Sequence, residues 1–399
     1  MQLPEEFIIR TKKLLGEEWD AFILALNEES PVSIRLNPRK INAELLSDFL
    51  PLSETVAWAK DGYYLNSRPS FTFDPLFHAG CYYVQEASSM ILEYYINKYF
   101  HSPAKILDLC AAPGGKSTHI SSLLSDDCLL VANGVIRSRA NILSENLIKW
   151  GNPNTIVTNN DPSEIGKSLP CFFDVIVADL PCSGEGMFRK DPKVINEWSV
   201  NNVRLCAERQ RRIIADVWPA LKPDGILIYS TCTYNREENE ENIEWICNEF
   251  DAELLEESRR MMPHKIKGEG FFIAGIRKKG ETQNLKPETQ ILKSEVKKIK
   301  SGSRIIYAGV TFEEKKAQDF IPAHSLAMSN TLSDTAFPRW EVDRETAIKY
   351  LRKEALQNVP NNIPKGYLLI TYIGRPLGFV KNIGIRANNL YPKEWRIRK

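Results

Sequence analysis

Two cysteines of this chain follow apolar stretches in the same manner, and they are the first candidates for covalent chemistry. Cys182 ends the stretch DVIVADLPC, and Cys232 ends the stretch GILIYSTC. In an open α/β sheet, the carboxyl ends of the strands face the ligand side. A cysteine at that edge can act as a nucleophile once its thiol pKa is lowered. The alternative is that both residues are buried structural cysteines.

A turn of small residues precedes a helical segment and predicts a ligand site at the same edge. Residues 110–116 read CAAPGGK and separate the apolar run ILDL from the segment STHISSLL. Gly114 and Gly115 let the backbone approach a ligand, and a helix N-terminus offers free N–H groups to an anion. The spacing matches neither the dinucleotide-binding pattern nor the P-loop of nucleoside triphosphatases. An ordinary strand–helix turn is the alternative.

The elements that must position these residues fall into three units and a linker. Short apolar strands alternate with helical segments from KILDLC to GILIYSTC, which is typical of a mainly parallel α/β sheet. A segment with helical periodicity and the strand SIRLNP precede this region, and a polar segment follows it. Near the C-terminus, the β-rich stretches RIIYAGVTF and GYLLITYIGRPLGFV surround a helix at about 343–356. The predicted boundaries are 1–74, 75–279, 280–303 for the linker, and 304–399.

Composition excludes several classes of protein. Of the 399 residues 43% are hydrophobic and 26% are charged, which argues against a largely disordered chain. No apolar run approaches the roughly 20 residues that cross a bilayer, and the amphipathic N-terminus is unlike a signal peptide. We therefore expect a cytoplasmic protein. The eight cysteines and five histidines lack ligand spacing, so we expect no metal site and no disulfide framework.

Five other cysteines are expected to act as small buried hydrophobic residues: Cys81, Cys128, Cys171, Cys206 and Cys247.

Three motifs resemble those of the Nop/Sun family of RNA cytosine-C5 methyltransferases, which use S-adenosylmethionine (SAM). They are CAAPGGK, DLPCSGEGMFRKDP and YSTCTYNREENEEN, in the order and spacing of the family. The flanking YYVQEASSM and GEGFFIAGIRK agree as well, and SIRLNP and the terminal WRIR are similar to the branch acting on bacterial small-subunit (16S) ribosomal RNA. The resemblance implies a Rossmann-like class I SAM-dependent methyltransferase domain with a small N-terminal α/β domain and a C-terminal PUA-like RNA-binding domain.

The resemblance also assigns catalytic roles. Cys232 would bond C6 of cytosine, which makes C5 able to attack the SAM methyl group, and Cys182 would assist breakdown of the covalent intermediate. Asp179 would bind the base edge around N3 and the exocyclic amine, close to the cofactor. Lys190 is a candidate to position substrate, with a solvated surface lysine as the alternative.

Cofactor binding carries one departure from the family pattern. An acidic residue after Ala-Asn should receive the SAM ribose hydroxyls, but this chain has Gly134 there. We expect SAM binding to be weakened by roughly 10- to 150-fold but not abolished, with Asn133 as a weak substitute. Asp161 would bind the adenine amino group, unless it only forms a turn before Pro162. The expected cofactor-binding residues are Cys110, Ala111, Ala112, Pro113, Gly114, Gly115, Lys116, Gly134, Asp161 and Asp179.

An RNA partner agrees with the charge distribution despite the net charge of only +1. A target cytosine must be unpaired or flipped out to reach two cysteines. Against Glu394 alone, the segment 371–399 holds the basic residues Arg375, Lys381, Arg386, Lys393, Arg396, Arg398 and Lys399. Interleaved with them are the aromatic residues Tyr372, Phe379, Tyr391 and Trp395. The segment is an RNA-binding surface or a solvated basic tail.

Several readings of the function remain open. The first is methylation of 16S ribosomal RNA by a monomer, and transfer RNA is an alternative substrate. A DNA methyltransferase would use Cys182 as the nucleophile instead of Cys232. A non-catalytic RNA-binding or ribosome-assembly protein would have lost cofactor use through Gly134.

Overall fold

The computed structural model describes most of the chain, namely residues 1–100, 102–280, 299, 303–316 and 319–398. The linker expected at 280–303 lies almost entirely outside the described residues, as does Lys399.

The N-terminal region forms two amphipathic helices and a small antiparallel sheet. Its elements are α1 Glu5–Leu15, α2 Trp19–Asn27, β1 Val32–Leu36, α3 Ala43–Ser47, β2 Leu52–Thr55, β3 Gly62–Leu65, α4 Pro75–His78 and β4 Tyr82–Val84. The strand order is β2-β3-β1-β4. Because β4 pairs with β1, this sheet extends past the boundary expected at residue 74. Phe7 and Phe22 of the helices pack on Phe188 and Trp198, so α1 and α2 cover part of the central region.

A large sheet carries the middle of the chain. Its five parallel strands are β5 Lys105–Asp108, β6 Leu129–Asn133, β7 Thr155–Thr158, β8 Phe173–Asp179 and β9 Leu221–Thr231. Their spatial order is β9-β8-β5-β6-β7, which places the first strand in the centre. Next to β9, antiparallel pairing adds β10 Ala252–Leu254, β11 Arg259–Met261 and β12 Phe271–Lys278.

Helices cover both faces of this sheet, as the continuous apolar strands require. They are α5 Leu92–Tyr99, α6 Gly115–Leu123, α7 Arg137–Trp150, α8 Pro162–Ser168, α9 Pro192–Glu197, α10 Val200–Val217 and α11 Glu240–Glu249. One core joins the strands to α8, α10 and α11, and a second joins them to α5 and α6. The expected alternation of strands and helices is confirmed.

The C-terminal region begins with a strand that belongs to the large sheet. Strand β13, Ile305–Ala308, pairs antiparallel with β7, although the sequence pattern assigns everything from residue 304 onwards to one C-terminal domain. Ile306 and Tyr307 of this strand pack in one cluster with Leu143 and Leu147 of α7, a contact that strand spacing alone does not reveal.

The remaining chain forms a hairpin and a mixed five-stranded sheet. Its elements are β14 Glu313–Lys316, β15 Asp319–Pro322, α12 His324–Met328, β16 Arg339–Glu341, α13 Arg344–Leu351, β17 Leu356–Gln357, β18 Gly366–Tyr372, β19 Arg375–Asn382 and β20 Arg386–Asn389. The sheet order is β16-β18-β19-β20-β17. Helix α13 ends sooner than expected, and the left-handed Lys353 (φ 66°) follows it closely.

The N-terminal and C-terminal sheets share one hydrophobic core. Ile34 and Tyr82 of the first belong to the same buried cluster as Trp340 and Leu368 of the second, and Tyr350 of α13 joins them. The two terminal units are therefore packed against each other in the folded chain.

Two expectations about side-chain exposure are wrong. Tyr372, Phe379 and Tyr391 are buried, so these aromatic residues serve the core of the C-terminal sheet and do not form an RNA surface; Trp395 is half-buried. Cys171 is exposed in a left-handed turn (φ 48°), whereas Cys81, Cys128 and Cys206 are buried as expected and Cys247 is partly buried. Within the described residues, no helix is long and apolar enough to cross a membrane.

Candidate active site

The two candidate cysteines meet at the carboxyl ends of adjacent strands. Because β8 and β9 are neighbouring parallel strands with Asp179 opposite Ser230, the loops that follow them leave the sheet side by side. The Sγ atoms of Cys182 and Cys232 lie 3.0 Å apart, and both thiols are free. The hydrogen bond to Cys232 and burial raise the pKa of the Cys182 thiol well above its usual value. Cys182 therefore retains its proton, which it can donate to Cys232.

Two buried glutamates connect the cysteine loops. Glu185 accepts hydrogen bonds from the backbone N–H groups of Tyr234 (2.7 Å) and Asn235 (2.9 Å). Glu238 of the second loop accepts from the backbone N–H of Ser183 at 3.0 Å. Burial raises the pKa of Glu238. Sequence reasoning assigned no role to either glutamate. Their occurrence inside the two cysteine motifs was the available signal.

An ion pair lies beside the thiols. Lys116 Nζ is 2.8 Å from Asp179 Oδ2, and Ser230 Oγ donates to Asp179 Oδ1 at 3.0 Å. Burial acts to lower the pKa of Lys116, but the attraction to Asp179 outweighs it, so the Lys116 pKa is raised. The pair fixes the carboxylate next to the cysteines.

A first cavity of about 210 Å³ opens over the turn at residues 110–116. Gly114 caps α6 in the left-handed region (φ 117°), and a Cβ on Gly115 would lie 3.2 Å from the Tyr83 ring. Gly114 therefore suits its left-handed conformation, and a side chain at Gly115 would require the Tyr83 ring to shift. The segment 83–86, which continues from the N-terminal sheet, forms the opposite wall.

Asp108 lies at the floor of this cavity. Ser117 Oγ donates to its Oδ2 at 2.6 Å, whereas its buried Oδ1 has no hydrogen-bond partner among the described residues. Burial raises the pKa of Asp108 to about 7. An unpartnered buried carboxylate oxygen is suited to a ligand that brings a hydrogen-bond donor.

A second cavity of about 500 Å³ adjoins the first and reaches the thiols. Cys110, Ala112 and Asp179 line both cavities. Together the two are lined by the expected residues Cys110, Ala111, Ala112, Pro113, Gly115, Lys116, Gly134, Asp161, Asp179, Cys182 and Cys232. Gly114 supports the turn from behind, where it faces Leu143 of α7. The structure thus brings almost all of the expected site residues into one cleft.

For Asn133, Asp161 and Lys190, the structure shows contacts or positions that bear on the role expected from the sequence. Asn133 is buried, and its side-chain amide is already bonded to the carbonyls of Leu109 and Asn160, so it cannot replace a missing ribose ligand as we expected. Asp161 lines the second cavity and also caps α8 through Ser163, whose hydrogen bonds lower the Asp161 pKa. Lys190 is exposed and does not line either cavity.

Sequence reasoning missed the arginines of the second cavity. Arg139 on α7 donates to the Ala112 carbonyl at 2.7 Å and so braces the turn. Arg209 and Arg212 on α10 line the wall opposite Gly134 and Val135. None of these arginines falls within a motif, which is why the sequence alone did not single them out.

In the described part of the chain, no group of three or more His, Cys, Asp or Glu could hold a metal ion.

Solved structures share this architecture. A methyltransferase homolog from Pyrococcus horikoshii is 31% identical, with a TM-score of 0.60 over 69% of this chain and 95% of that one. NSun6 from the same organism, solved with SFG, has a TM-score of 0.60 over 70% of this chain and 99% of that one; at 22% identity it shows the fold alone. The fold is that of the class I SAM-dependent methyltransferases.

Sequence comparison defines the group more narrowly. Residues 99–277 match the family described as 16S rRNA methyltransferase RsmB/F. Residues 3–87 match the N-terminal domain of 16S rRNA methyltransferase RsmF, and residues 337–397 match the methyltransferase RsmF PUA domain. The chain belongs to the RsmB/RsmF family of 16S rRNA methyltransferases.

Individual relatives carry the corresponding name. The ribosomal RNA small subunit methyltransferase F of Pectobacterium atrosepticum is 35% identical over 315 residues, which cover 71% of this chain and 64% of that protein. The protein of the same name from an Enterobacter species is 29% identical over 462 residues, covering 98% of this chain and 95% of that protein.

Proposed function

We propose that this protein transfers a methyl group from SAM to C5 of a cytosine in RNA, with 16S ribosomal RNA as the substrate, through a covalent bond between Cys232 and C6. The contact between Cys182 and Cys232, 3.0 Å between sulfurs, is the observation that carries the proposal. It puts a protonated thiol against a second thiol at the mouth of a cofactor-sized cleft. A single nucleophile would not require the second cysteine.

In the proposed reaction, Cys232 gives up its thiol proton to water as its sulfur forms a bond to C6, and the electron pair of the C5–C6 double bond moves to C5. SAM supplies an electrophilic methyl group when it is bound. Asp179, held by Lys116 and Ser230, binds the base edge and polarises the ring. After C5 is methylated, its proton passes to water, the C–H electron pair re-forms the C5–C6 double bond, and the C6–S bond breaks with its electron pair going to the sulfur of Cys232. Cys182 donates to the departing sulfur of Cys232, which favours release.

The cleft fits SAM on two observations. The unpartnered buried oxygen of Asp108 matches a donor on the ligand, and Gly115 leaves room for close approach where a Cβ would meet Tyr83. We assign the turn 110–116 and the N-terminus of α6 to the methionine part of the cofactor. Gly134 and Asp161 line the part of the second cavity assigned to ribose and adenine.

The N-terminal and C-terminal units are the parts of the chain that we propose bind RNA. We assign residues 1–74 and the C-terminal sheet to RNA binding, by a monomeric protein in the cytoplasm where ribosomal RNA is found. Exposed Arg386, Lys393, Arg396 and Arg398 supply positive charge on the C-terminal unit. The buried aromatic residues there argue for contacts with the phosphate backbone and not for base stacking.

Transfer of a labelled methyl group tests the proposal. The full-length protein should methylate 16S ribosomal RNA, free or in the small subunit, and bisulfite sequencing of RNA from a deletion strain should lose one protected cytosine. Methylation of transfer RNA alone would contradict the substrate assignment. RNA binding without any methyl transfer would favour a non-catalytic assembly protein.

A further inference from the structure

Two arginines on one helix line the reaction cleft. Arg209 and Arg212 stand three residues apart on α10, so their side chains lie on one face of the helix. Both are exposed, and both line the cavity that contains Cys182 and Cys232. Within the described residues neither forms an ion pair at 4 Å or less, although the charge of Arg212, after the hydrogen bonds from Ser163, helps to lower the pKa of Asp161 in the same cavity. Arg209 Nη2 donates to the Pro181 carbonyl, at 3.5 Å, and to Cys206 Sγ, at 3.2 Å.

The charges in the cleft decide what these arginines can bind. SAM carries a sulfonium, an ammonium and one carboxylate, so it is a net cation and is repelled by two guanidinium groups. The carboxylates of Asp161 and Asp179, which line the same cavity, suit the cofactor instead. An anionic group must therefore approach α10, and guanidinium groups match phosphate oxygens in geometry as well as charge.

Resting on the proposed function, we propose that Arg209 and Arg212 form a phosphate-binding site for the RNA strand at the target nucleotide. When the target base enters the cleft beside Cys232, its flanking phosphates stay at the mouth, where α10 lies. Arg209 approaches Pro181, the residue before Cys182, so a phosphate held there is near the reacting thiols. The site would position the RNA backbone and carry no base specificity.

Full-length wild type, Arg209→Gln and Arg212→Gln test this assignment, with Arg204→Gln as the matched control. Arg204 is an exposed arginine of the same helix and does not line the cavity. The probe is a fluorescently labelled 12-nucleotide single-stranded RNA that contains one cytosine, and its binding is followed by anisotropy between 50 and 200 mM NaCl. SAM affinity is measured separately by calorimetry.

Each cleft variant should raise the dissociation constant of the RNA about tenfold and reduce the slope of log K against log[salt] by about 0.7, with SAM affinity unchanged. Arg204→Gln should leave the RNA dissociation constant within twofold of wild type. Equal RNA binding by all proteins, an equal loss in Arg204→Gln, or a loss of SAM affinity in place of RNA affinity would overturn the assignment. Methyl transfer by the wild type is scored independently, so failure of the proposed function is seen as RNA binding without transfer.

Discussion

Cys182 and Cys232 lie with their Sγ atoms 3.0 Å apart although 50 residues separate them in the chain. The two thiols are not equivalent, because the pKa of Cys182 is raised by its hydrogen bond to Cys232 and by burial. A thiol that retains its proton is a donor and not an attacking group. The raised pKa of Cys182 supports the proposed roles, in which Cys232 attacks and Cys182 assists release.

Replacing each cysteine by alanine should separate these roles. Cys182→Ala should accumulate a covalent RNA complex, because the bond to Cys232 forms but its breakdown is slowed. Cys232→Ala should form no complex. Denaturing gel electrophoresis with labelled 16S RNA and SAM measures both, and Cys128→Ala, a buried cysteine remote from the cleft, should resemble wild type. A complex trapped by Cys232→Ala alone would show that Cys182 attacks, as in a DNA-type enzyme.

Restoring an acidic side chain at position 134 should strengthen SAM binding. Gly134 lines the second cavity, and Asn133 is not free to take its place. We expect Gly134→Glu to lower the SAM dissociation constant about tenfold, since a charged hydrogen bond contributes roughly 1.5–3 kcal/mol. Part of that gain is lost because the new Cβ lies 3.1 Å from Ala140 Cβ. Calorimetric titration measures the change.

Gly134→Gln is the control for that experiment, since it adds the same bulk without the charge. It should bind SAM no more than a few-fold more tightly than wild type. If Gly134→Glu leaves the dissociation constant unchanged, the missing carboxylate does not limit cofactor binding.

Asp108 should make the stability of the cofactor-free protein depend on pH. Its pKa in the folded protein is raised by burial to about 7, so between about pH 4 and pH 7 the folded state binds more protons than the unfolded state. The contribution of Asp108 to stability is therefore greatest at low pH and declines as the pH rises through 7. Relative to Asp108→Asn, wild type should lose on the order of 2–3 kcal/mol between pH 5 and pH 8.

Urea unfolding of both proteins at the two pH values measures this difference. The asparagine retains an acceptor for Ser117. All other titrating groups are common to wild type and Asp108→Asn, so their contributions cancel in the comparison of the two proteins. A difference in unfolding free energy that is the same at pH 5 and pH 8 would mean that the Asp108 pKa is not raised.

Arg35 should connect stability to cofactor binding. This buried arginine of β1 donates to Gln85 Oε1 at 2.9 Å and to Thr118 Oγ1 of α6 at 2.7 Å. Arg35→Met leaves both acceptors without their donor and should lower the free energy of unfolding by about 2–4 kcal/mol. It should also weaken SAM binding in the folded protein, because α6 begins in the turn at residues 110–116, which we propose binds the cofactor.

Arg39→Met is the matched control, since Arg39 forms an ion pair with the exposed Asp126. Its effect on the unfolding free energy should stay below about 1 kcal/mol, with SAM affinity unchanged. Unaltered SAM affinity in folded Arg35→Met would restrict Arg35 to a structural role.

The motifs predicted the site more completely than the fold around it. Gly-rich turns and cysteines that follow strands are local patterns, so Gly114, Gly115, Cys182 and Cys232 could be placed at one sheet edge from their order in the chain. The pairing of β13 with the large sheet could not be predicted from the sequence, because strand pairing at a sheet edge depends on which apolar surface is left uncovered. The burial of Tyr372, Phe379 and Tyr391 was missed for the same reason.

The sequence by itself determined the parallel sheet, the glycine-containing turn at residues 110–116 and the position of both cysteines after strands, since each depends on residues close together in the chain. Only the tertiary structure decided that the pKa of the Cys182 thiol is raised, because that follows from the 3.0 Å contact between the two cysteine loops and from burial. It also decided that Asn133 is already bonded and that Arg209 and Arg212 face the cleft. Burial, pairing and charge balance are properties of the assembled fold, and residue types alone do not specify them.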